Sequence, residues 1–174
     1  MNLTAYFPTL EQVRRSFAGA EVALSNRDLT RVRLSDTLTL SVPVEGGASA
    51  LKRLPFSHLR ISDHGRWTSV HDRALEATYG RTPFFRHLYP HLRDIILNHP
   101  EHIFELNETL DRRVSDFISL DTLKDELLRM IETNPQRIGA IRRELSIAGG
   151  ESMPFFAHVC RLGPDAIFLL APTL

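Results

Sequence analysis

The sequence contains a single cysteine, Cys160, so the chain can form no disulfide with itself. It also has no long hydrophobic run: the longest uninterrupted apolar stretch spans residues 166–171, whereas roughly 20 residues are needed to cross a bilayer. The first residues, MNLTAYFPT, have neither the basic cluster nor the apolar segment of a secretion signal. We therefore expect a cytoplasmic protein that inserts into no membrane.

Neither sign of charge predominates in the chain. The 21 basic and 21 acidic side chains give a formal net charge of zero, so no overall field attracts nucleic acid or an anionic membrane. The glycine-rich sequences that cradle nucleotide phosphates are absent, and so is the GxSxG sequence of serine hydrolases. We therefore expect no nucleic-acid partner, and any anion site must be local.

The residues that are present are typical of a globular protein. The chain has 174 residues, of which 43% are hydrophobic and 24% charged, which is enough for one domain with its own core. The hydrophobic period changes from about two to about 3.6 near residues 62–65. We therefore predict a single α+β domain over 1–174, with a small N-terminal mixed sheet including a hairpin over 1–65 and a mainly helical part over 66–174.

The first 25 residues have a strand–helix–strand pattern. Apolar segments at 3–7 and 20–24 predict two strands, and a helix over 9–18 lies between them, begun by Pro8 and ended by Gly19. Strands joined by a crossover helix pair in parallel, which predicts the parallel part of the mixed sheet.

A hairpin is predicted next, with strands over 28–34 and 37–44. A two-residue turn would pair Arg33 with Leu38, whereas a three-residue loop pairs Arg33 with Thr37. The second register separates the strands into one apolar and one polar face, so we prefer it.

This hairpin presents Arg31 and Arg33 side by side on its polar face. Two neighbouring guanidinium groups suit a phosphate or a carboxylate, which each can bind through paired hydrogen bonds. A solvated strand face needs no ligand, however, and that interpretation stays open.

The segments after the hairpin are predicted from local patterns. Residues 45–50 (EGGASA) lack periodicity and predict a flexible loop, and 54–61 predict a further strand. In the helical part, a first helix is predicted over 66–79, ended by Gly80, and a second from Thr82 and Pro83 to just before Pro100. Three more are predicted over 101–118, over 122–131 with Asp121 as N-cap, and over 135–145. The apolar tail from Met153 is expected to dock on the core.

Trp67 and His71 are one turn apart on the first of these long helices, so their rings share a face. Histidine there could act as a general acid or base, because its ordinary pKa near 6.5 suits proton transfer at neutral pH. The alternative is a core histidine that is hydrogen-bonded to backbone.

Other polar residues give weaker signals. His87 and His91 are four apart on a predicted helix, but a zinc enzyme would normally add a third protein ligand and a general base, and no HExxH sequence is present, so we expect no metal. Cys160 and His158 are two residues apart and do not face each other on a helix, which favours a buried structural thiol. Asn107 falls on an apolar stripe and is interpreted as a structural hydrogen-bonding residue.

Several sequence pieces together resemble the WbqC-like protein family of bacterial surface-polysaccharide gene clusters. They are YFP at 6–8, TRVRL with LTLSVPV up to Val44, and W-x3-H-x7-Y from Trp67 to Tyr79 with PFF following. The resemblance covers Ala5 to about Ile118, and GPDAIFLL near the end is similar to the family's closing segment.

The resemblance implies a transferase in surface-polysaccharide or O-antigen biosynthesis, with glycine or another aminoacyl group as the group transferred. We expect no cofactor. It implies a small-molecule substrate such as a nucleotide sugar or an amino acid. In that interpretation Arg31 and Arg33 hold an anionic substrate, Trp67 stacks on a sugar or base, His71 handles a proton and Tyr79 orients the reactants. The alternative is a non-enzymatic ligand-binding or scaffold protein that keeps the fold, in which Trp67 and His71 serve the core.

Overall fold

The computed structural model describes residues 6–145 and 150–171. Its elements follow in chain order: α1 Leu10–Phe17, α2 Asn26–Thr30, β1 Arg31–Arg33, β2 Thr39–Ser41, α3 Gly47–Arg53, a 3₁₀ turn Phe56–His58, α4 Trp67–Tyr79, α5 Phe85–Leu97, α6 Ile103–Phe117, α7 Leu120–Thr133, α8 Pro135–Glu144, α9 Phe155–Leu162 and a 3₁₀ helix Gly163–Leu170.

The helix predicted near the N-terminus is confirmed as α1. Thr9 and Gln12 form a reciprocal capping box at its start, and Gly19 follows its end with a positive φ of 77°. The predicted strand over 20–24 is wrong, because these residues have no ladder partner. The predicted strand over 3–7 lies mostly outside the described residues, and its last two residues form a bend.

The hairpin is confirmed, but its strands are shorter than predicted, since residues 28–30 belong to α2, and its predicted register is wrong by two residues. Arg33 pairs with Thr39 and Val32 with Leu40, because the loop closes through a 2.8 Å hydrogen bond from the Leu34 amide to the Leu38 carbonyl. Since side chains alternate with a period of two, a shift of two leaves the faces unchanged. Val32 and Leu40 are buried, and the arginines of β1 are exposed as predicted.

The segments around the hairpin fold differently from the sequence prediction. The predicted loop over 45–50 contains most of α3, which begins after Gly46 because that residue takes a φ of 75° that turns the chain into the helix. The predicted strand over 54–61 is a 3₁₀ turn followed by single bridges at Arg60 and Ile61. The described sheet is therefore the two-stranded antiparallel hairpin alone, and no parallel pairing is found in the described ranges.

The long helices α4 to α8 confirm the predicted helical part, with ends within about two residues of the predicted ones. Two predicted caps are wrong. Ser119, with a left-handed φ of 53°, precedes α7 instead of Asp121. Thr82 donates its hydroxyl to the Tyr79 carbonyl at 2.6 Å, and Phe84 is the N-cap of α5.

Helix α5 contains a proline in its interior, Pro90. Proline has no amide hydrogen, so the Arg86 carbonyl lacks the donor that the helix would otherwise provide, and such a substitution costs roughly 3 kcal/mol. Pro90 is exposed, so burial of its ring does not compensate.

The apolar tail docks on the core as predicted. Phe156 of α9 stacks on Phe7 with 4.6 Å between ring centroids and meets the Tyr79 ring edge-on. Backbone hydrogen bonds fix the tail, including one of 2.7 Å from the Phe155 amide to the Pro8 carbonyl. Nearly all of the buried hydrophobic side chains that the structure describes form one continuous cluster, and Cys160 lies in it. The fold class is α+β, as predicted.

None of the helices in the described part of the chain combines the length and apolarity needed to span a bilayer.

Candidate functional site

His71 is enclosed by two hydrogen bonds. Its Nε2 lies 3.1 Å from the Ser41 carbonyl oxygen in β2, and its Nδ1 lies 2.7 Å from the hydroxyl oxygen of Tyr6. A carbonyl oxygen can only accept, so Nε2 carries the hydrogen and Nδ1 accepts from the tyrosine hydroxyl. This neutral ring therefore links the N-terminal segment, the hairpin and α4.

The environment keeps His71 uncharged. The residue is 2% exposed, and burial lowers its pKa to about 4, although the bond to Ser41 opposes the shift. Both ring nitrogens already have protein partners, so neither is directed at a substrate. The geometry favours the core interpretation of this histidine, and its predicted proton-handling role stays a prediction.

Trp67 and Tyr79 are also buried. The Trp67 ring lies edge-on to His71 and is 5.0 Å from the ring of His99, so it fills the space between two imidazoles. The Tyr79 hydroxyl donates to the Leu34 carbonyl at 3.4 Å, and burial raises the pKa of its phenol. Substrate-stacking and orienting roles for these two residues stay predictions.

Arg31 and Arg33 lie on the exposed face of the hairpin. Arg31 Nε donates to the Ser41 hydroxyl at 2.9 Å, and Arg33 pairs with Asp36 at 2.7 Å. The buried ring of His71 contacts the neighbouring strand β2 through the Ser41 backbone carbonyl. The structure therefore brings the predicted residues to one hairpin, but the arginines are exposed whereas the histidine is buried.

An open cleft lies beside the hairpin, and we call it the Gly46 cleft. Its volume is about 590 Å³, and its walls are Val44, Glu45, Gly46 and Gly47 on one side and Ser62, Asp63 and His64 on the other. The two walls are held together by the bridge between Val44 and Ile61 and by a 2.9 Å bond from the Ser62 amide to the Pro43 carbonyl.

Carboxylates and imidazoles surround the Gly46 cleft. Glu45 pairs with Arg60 at 3.1 Å, whereas the side chain of Asp63 is 92% exposed. His99 stands behind Asp63 with Nε2 at 3.3 Å from Oδ1. His99 Nδ1 lies 2.9 Å from the Pro100 carbonyl oxygen, which can only accept, so Nδ1 carries a hydrogen. This bond orients the ring so that Nε2 points toward the Asp63 carboxylate.

Sequence patterns gave no indication of the Gly46 cleft. Its two walls come from the segments EGG and SDHG, which have no periodicity and predict a loop and the boundary between the sheet and the helices. Nothing in the sequence connects the glycine pair of the first segment with Asp63 and His64 of the second.

A second polar group joins α4 and α5. Arg93 contacts Asp72 through two hydrogen bonds of 2.8 and 3.0 Å, and the Tyr89 hydroxyl donates to the same carboxylate at 2.9 Å. The guanidinium bonds hold the pKa of Asp72 below its ordinary value, and the tyrosine bond adds to that effect. This network fixes the relative position of the two helices.

Asp111 is a carboxylate in an apolar environment. It borders a small cavity of about 10 Å³ whose other walls are Phe7, Pro8, Leu110, Val114, Phe155 and Phe156. Burial, assisted by the nearby charge of Asp121, raises its pKa to about 7.

We expect Asp111→Asn to stabilise the protein at pH 8 by about 2 kcal/mol. The folded pKa is above the unfolded one, so the folded state binds the proton more tightly and its stability falls as pH rises from about 4 to 7. Asparagine does not ionise, so the gain should disappear at pH 4. Urea unfolding at both pH values measures the difference in the free energy of unfolding between the variant and the wild type. A variant that is no more stable than the wild type at pH 8 would contradict this explanation.

Within the described ranges, no group of three or more His, Cys, Asp or Glu side chains is placed to hold a metal ion. The two histidines of α5 considered for this role, His87 and His91, are exposed.

The model of the WbqC-like protein family matches residues 4–148. This match extends beyond the predicted limit near Ile118 but ends before the closing segment that begins at Gly163. No curated protein and no solved structure matches the chain significantly. Because the family model covers well over half of the sequence, the chain belongs to the WbqC-like protein family.

Proposed function

We propose that the chain is a cytoplasmic WbqC-like transferase that acts in bacterial surface-polysaccharide or O-antigen biosynthesis, and that it transfers glycine or another aminoacyl group. Family membership supports the general assignment. The observation that carries the finer proposal is the Gly46 cleft, which is large enough for a sugar-sized molecule and has carboxylates at its walls.

The lining of the cleft suits a substrate with a primary amine. Glu45 and Asp63 are acceptors for an ammonium group, and the glycine pair leaves space for close approach to the backbone. Asp63 is the more available of the two carboxylates, because Glu45 shares its charge with Arg60. An amino sugar is therefore the acceptor that fits the proposal best.

The reaction needs a base, because an ammonium group must lose a proton before its nitrogen can attack. In the proposal His64, which lines the cleft, takes that proton while Asp63 holds the amine in place. The nitrogen then bonds to the carbonyl carbon of an activated aminoacyl donor such as a thioester, the carbon–sulfur bond breaks, and the departing thiolate takes the second proton that the nitrogen loses. Arg31 and Arg33 would hold an anionic part of the donor at the neighbouring hairpin face.

The proposal is tested by incubating the purified protein with glucosamine and a glycyl thioester and measuring N-glycylglucosamine by mass spectrometry. We expect the rate to fall at least tenfold in Asp63→Asn, because the neutral amide cannot hold the ammonium group. Asp125→Asn makes the same change at an exposed position of α7 and should keep the wild-type rate. Product formation equal in both variants would overturn the role of the cleft.

One observation favours a second function, that of a non-enzymatic ligand-binding or scaffold protein. His71, the residue predicted to handle a proton, is sealed between Tyr6 and Ser41. Binding of glucosamine that depends on Asp63, with no transfer from any aminoacyl donor supplied, would support this second function.

A further inference from the structure

His99 and Asp63 place two hydrogen-bond acceptors opposite each other at the Gly46 cleft. His99 Nδ1 directs its hydrogen at the Pro100 carbonyl, so Nε2 of the neutral ring has only a lone pair. Asp63 Oδ1, which lies 3.3 Å from Nε2, is also an acceptor. Two acceptors repel each other, so the space between them requires a hydrogen, which either the ring itself or a ligand can supply.

The positions of both residues are set by the fold and not by this contact alone. The His99 ring packs on Trp67 with 5.0 Å between ring centroids, and its side chain is only 15% exposed. The segment before Asp63 is paired with the segment after His99, because the Ile61 amide donates to the Glu101 carbonyl at 2.8 Å. The two acceptors are therefore in place before any ligand arrives.

The contact between His99 and Asp63 is weak enough to be replaced. A separation of 3.3 Å is at the long end for a hydrogen bond from nitrogen to oxygen. The Asp63 side chain is 92% exposed, so water screens the pairing of its charge with the ring. An ammonium group has a positive charge and several hydrogens, so it can donate one to Asp63 Oδ1 and another to His99 Nε2.

We propose that His99 is the second acceptor of the amine site. The ammonium group of a ligand lies between Asp63 and His99 and takes the place of the proton that the ring holds without a ligand. This inference rests on the proposed function, since it concerns the amine site of the same cleft, and it adds regulation by pH. Ligand and proton compete, so the affinity for an ammonium group rises as histidine loses its proton between about pH 5 and 8.

Four other titratable groups adjoin the pair directly, through Trp67 or along the chain: His64, His71, Glu101 and His102. Burial lowers the pKa of His71 to about 4, so it stays uncharged at and above pH 6. Glu101 forms an ion pair with Arg60. His64 lines the cleft, and its charge would also act on an ammonium group, so the test has to remove it. His102 is the same in all the proteins compared.

The test is an amide NMR titration of the ¹⁵N-labelled protein with ethanolamine, whose amine stays protonated over this range, at pH 6 and pH 8 and constant ionic strength. All proteins compared carry His64→Asn. With His99 present, we expect the affinity measured at residues 45–47 and 62–64 to be about threefold higher at pH 8. His99→Asn keeps a donor for the Pro100 carbonyl but has no acceptor at the place of Nε2. In this variant the pH dependence should disappear, and the affinity at pH 8 should fall about threefold.

His91→Asn makes the same change at an exposed position of α5 and should leave both affinities as they are in the parent protein. PH dependence in His99→Asn equal to that of the parent would overturn the inference. So would the absence of any shift at the cleft when ethanolamine is added to the parent protein.

The ring can also be observed without any substitution, because imidazole ¹⁵N shifts show which nitrogens carry hydrogen. At pH 6 we expect ethanolamine to remove the hydrogen from His99 Nε2 and to leave the one on Nδ1. A ring that keeps its Nε2 hydrogen while the cleft amides shift would contradict the competition. Transfer to glucosamine that is indifferent to His99 would sink this inference alone, whereas pH-linked ethanolamine binding without transfer would sink only the proposed function.

Discussion

His71→Ala is expected to lower the free energy of unfolding by about 3 kcal/mol. The substitution removes a fully buried ring, leaves a cavity beneath Trp67, and deprives both the Tyr6 hydroxyl and the Ser41 carbonyl of their hydrogen-bond partner. Urea unfolding at pH 7 measures the loss.

Val70→Ala is the matched control for this prediction. Val70 precedes His71 on α4, but its side chain is 56% exposed, so its truncation should change stability by no more than about 0.5 kcal/mol. A His71→Ala protein as stable as wild type that had lost transfer would restore the catalytic interpretation of this histidine. A protein that lost transfer together with the expected stability would support the core interpretation.

Gly163→Ala should also destabilise the protein by about 3 kcal/mol. Gly163 begins the last 3₁₀ helix with φ 59° and ψ −138°, a conformation that only glycine adopts readily. A methyl group there would lie 2.5 Å from the Phe84 ring, so it would push the C-terminal segment away from the start of α5. Thermal unfolding measures the effect.

Gly139→Ala also replaces a glycine by alanine, but it is expected to raise the stability of the protein. Gly139 lies inside α8, where an added methyl group would only meet the end of the flexible Arg143 side chain at 3.7 Å. Alanine is the better helix former, so stability should rise by up to about 1 kcal/mol. If both variants changed stability equally, the account of how the tail docks would be contradicted.

The helices were predictable from the sequence because their information is local. Apolar residues recur every three or four positions along α4 to α8, and residues such as Gly80 and Pro135 mark ends and starts. The faces of the hairpin were predictable for the same reason. Its register was not, because it depends on how the loop between Arg33 and Thr39 closes.

The candidate site was less predictable because its contacts are distant in sequence. Tyr6 and His71 are 65 residues apart, and no spacing rule connects them. The walls of the Gly46 cleft come from two irregular segments that face each other because Val44 pairs with Ile61 and the Ser62 amide bonds to the Pro43 carbonyl. Periodicity identifies which residues face the core, but it gives no information on which loops meet.

The position of the acceptor amine is the claim on which the proposed function depends most. The most direct test is an amide NMR titration of the ¹⁵N-labelled protein with glucosamine, compared with glucose, which lacks the amine. We expect glucosamine to shift the amides of residues 45–47 and 62–64, and glucose to leave them unchanged. Identical shifts from both sugars, or none at the cleft, would contradict the account.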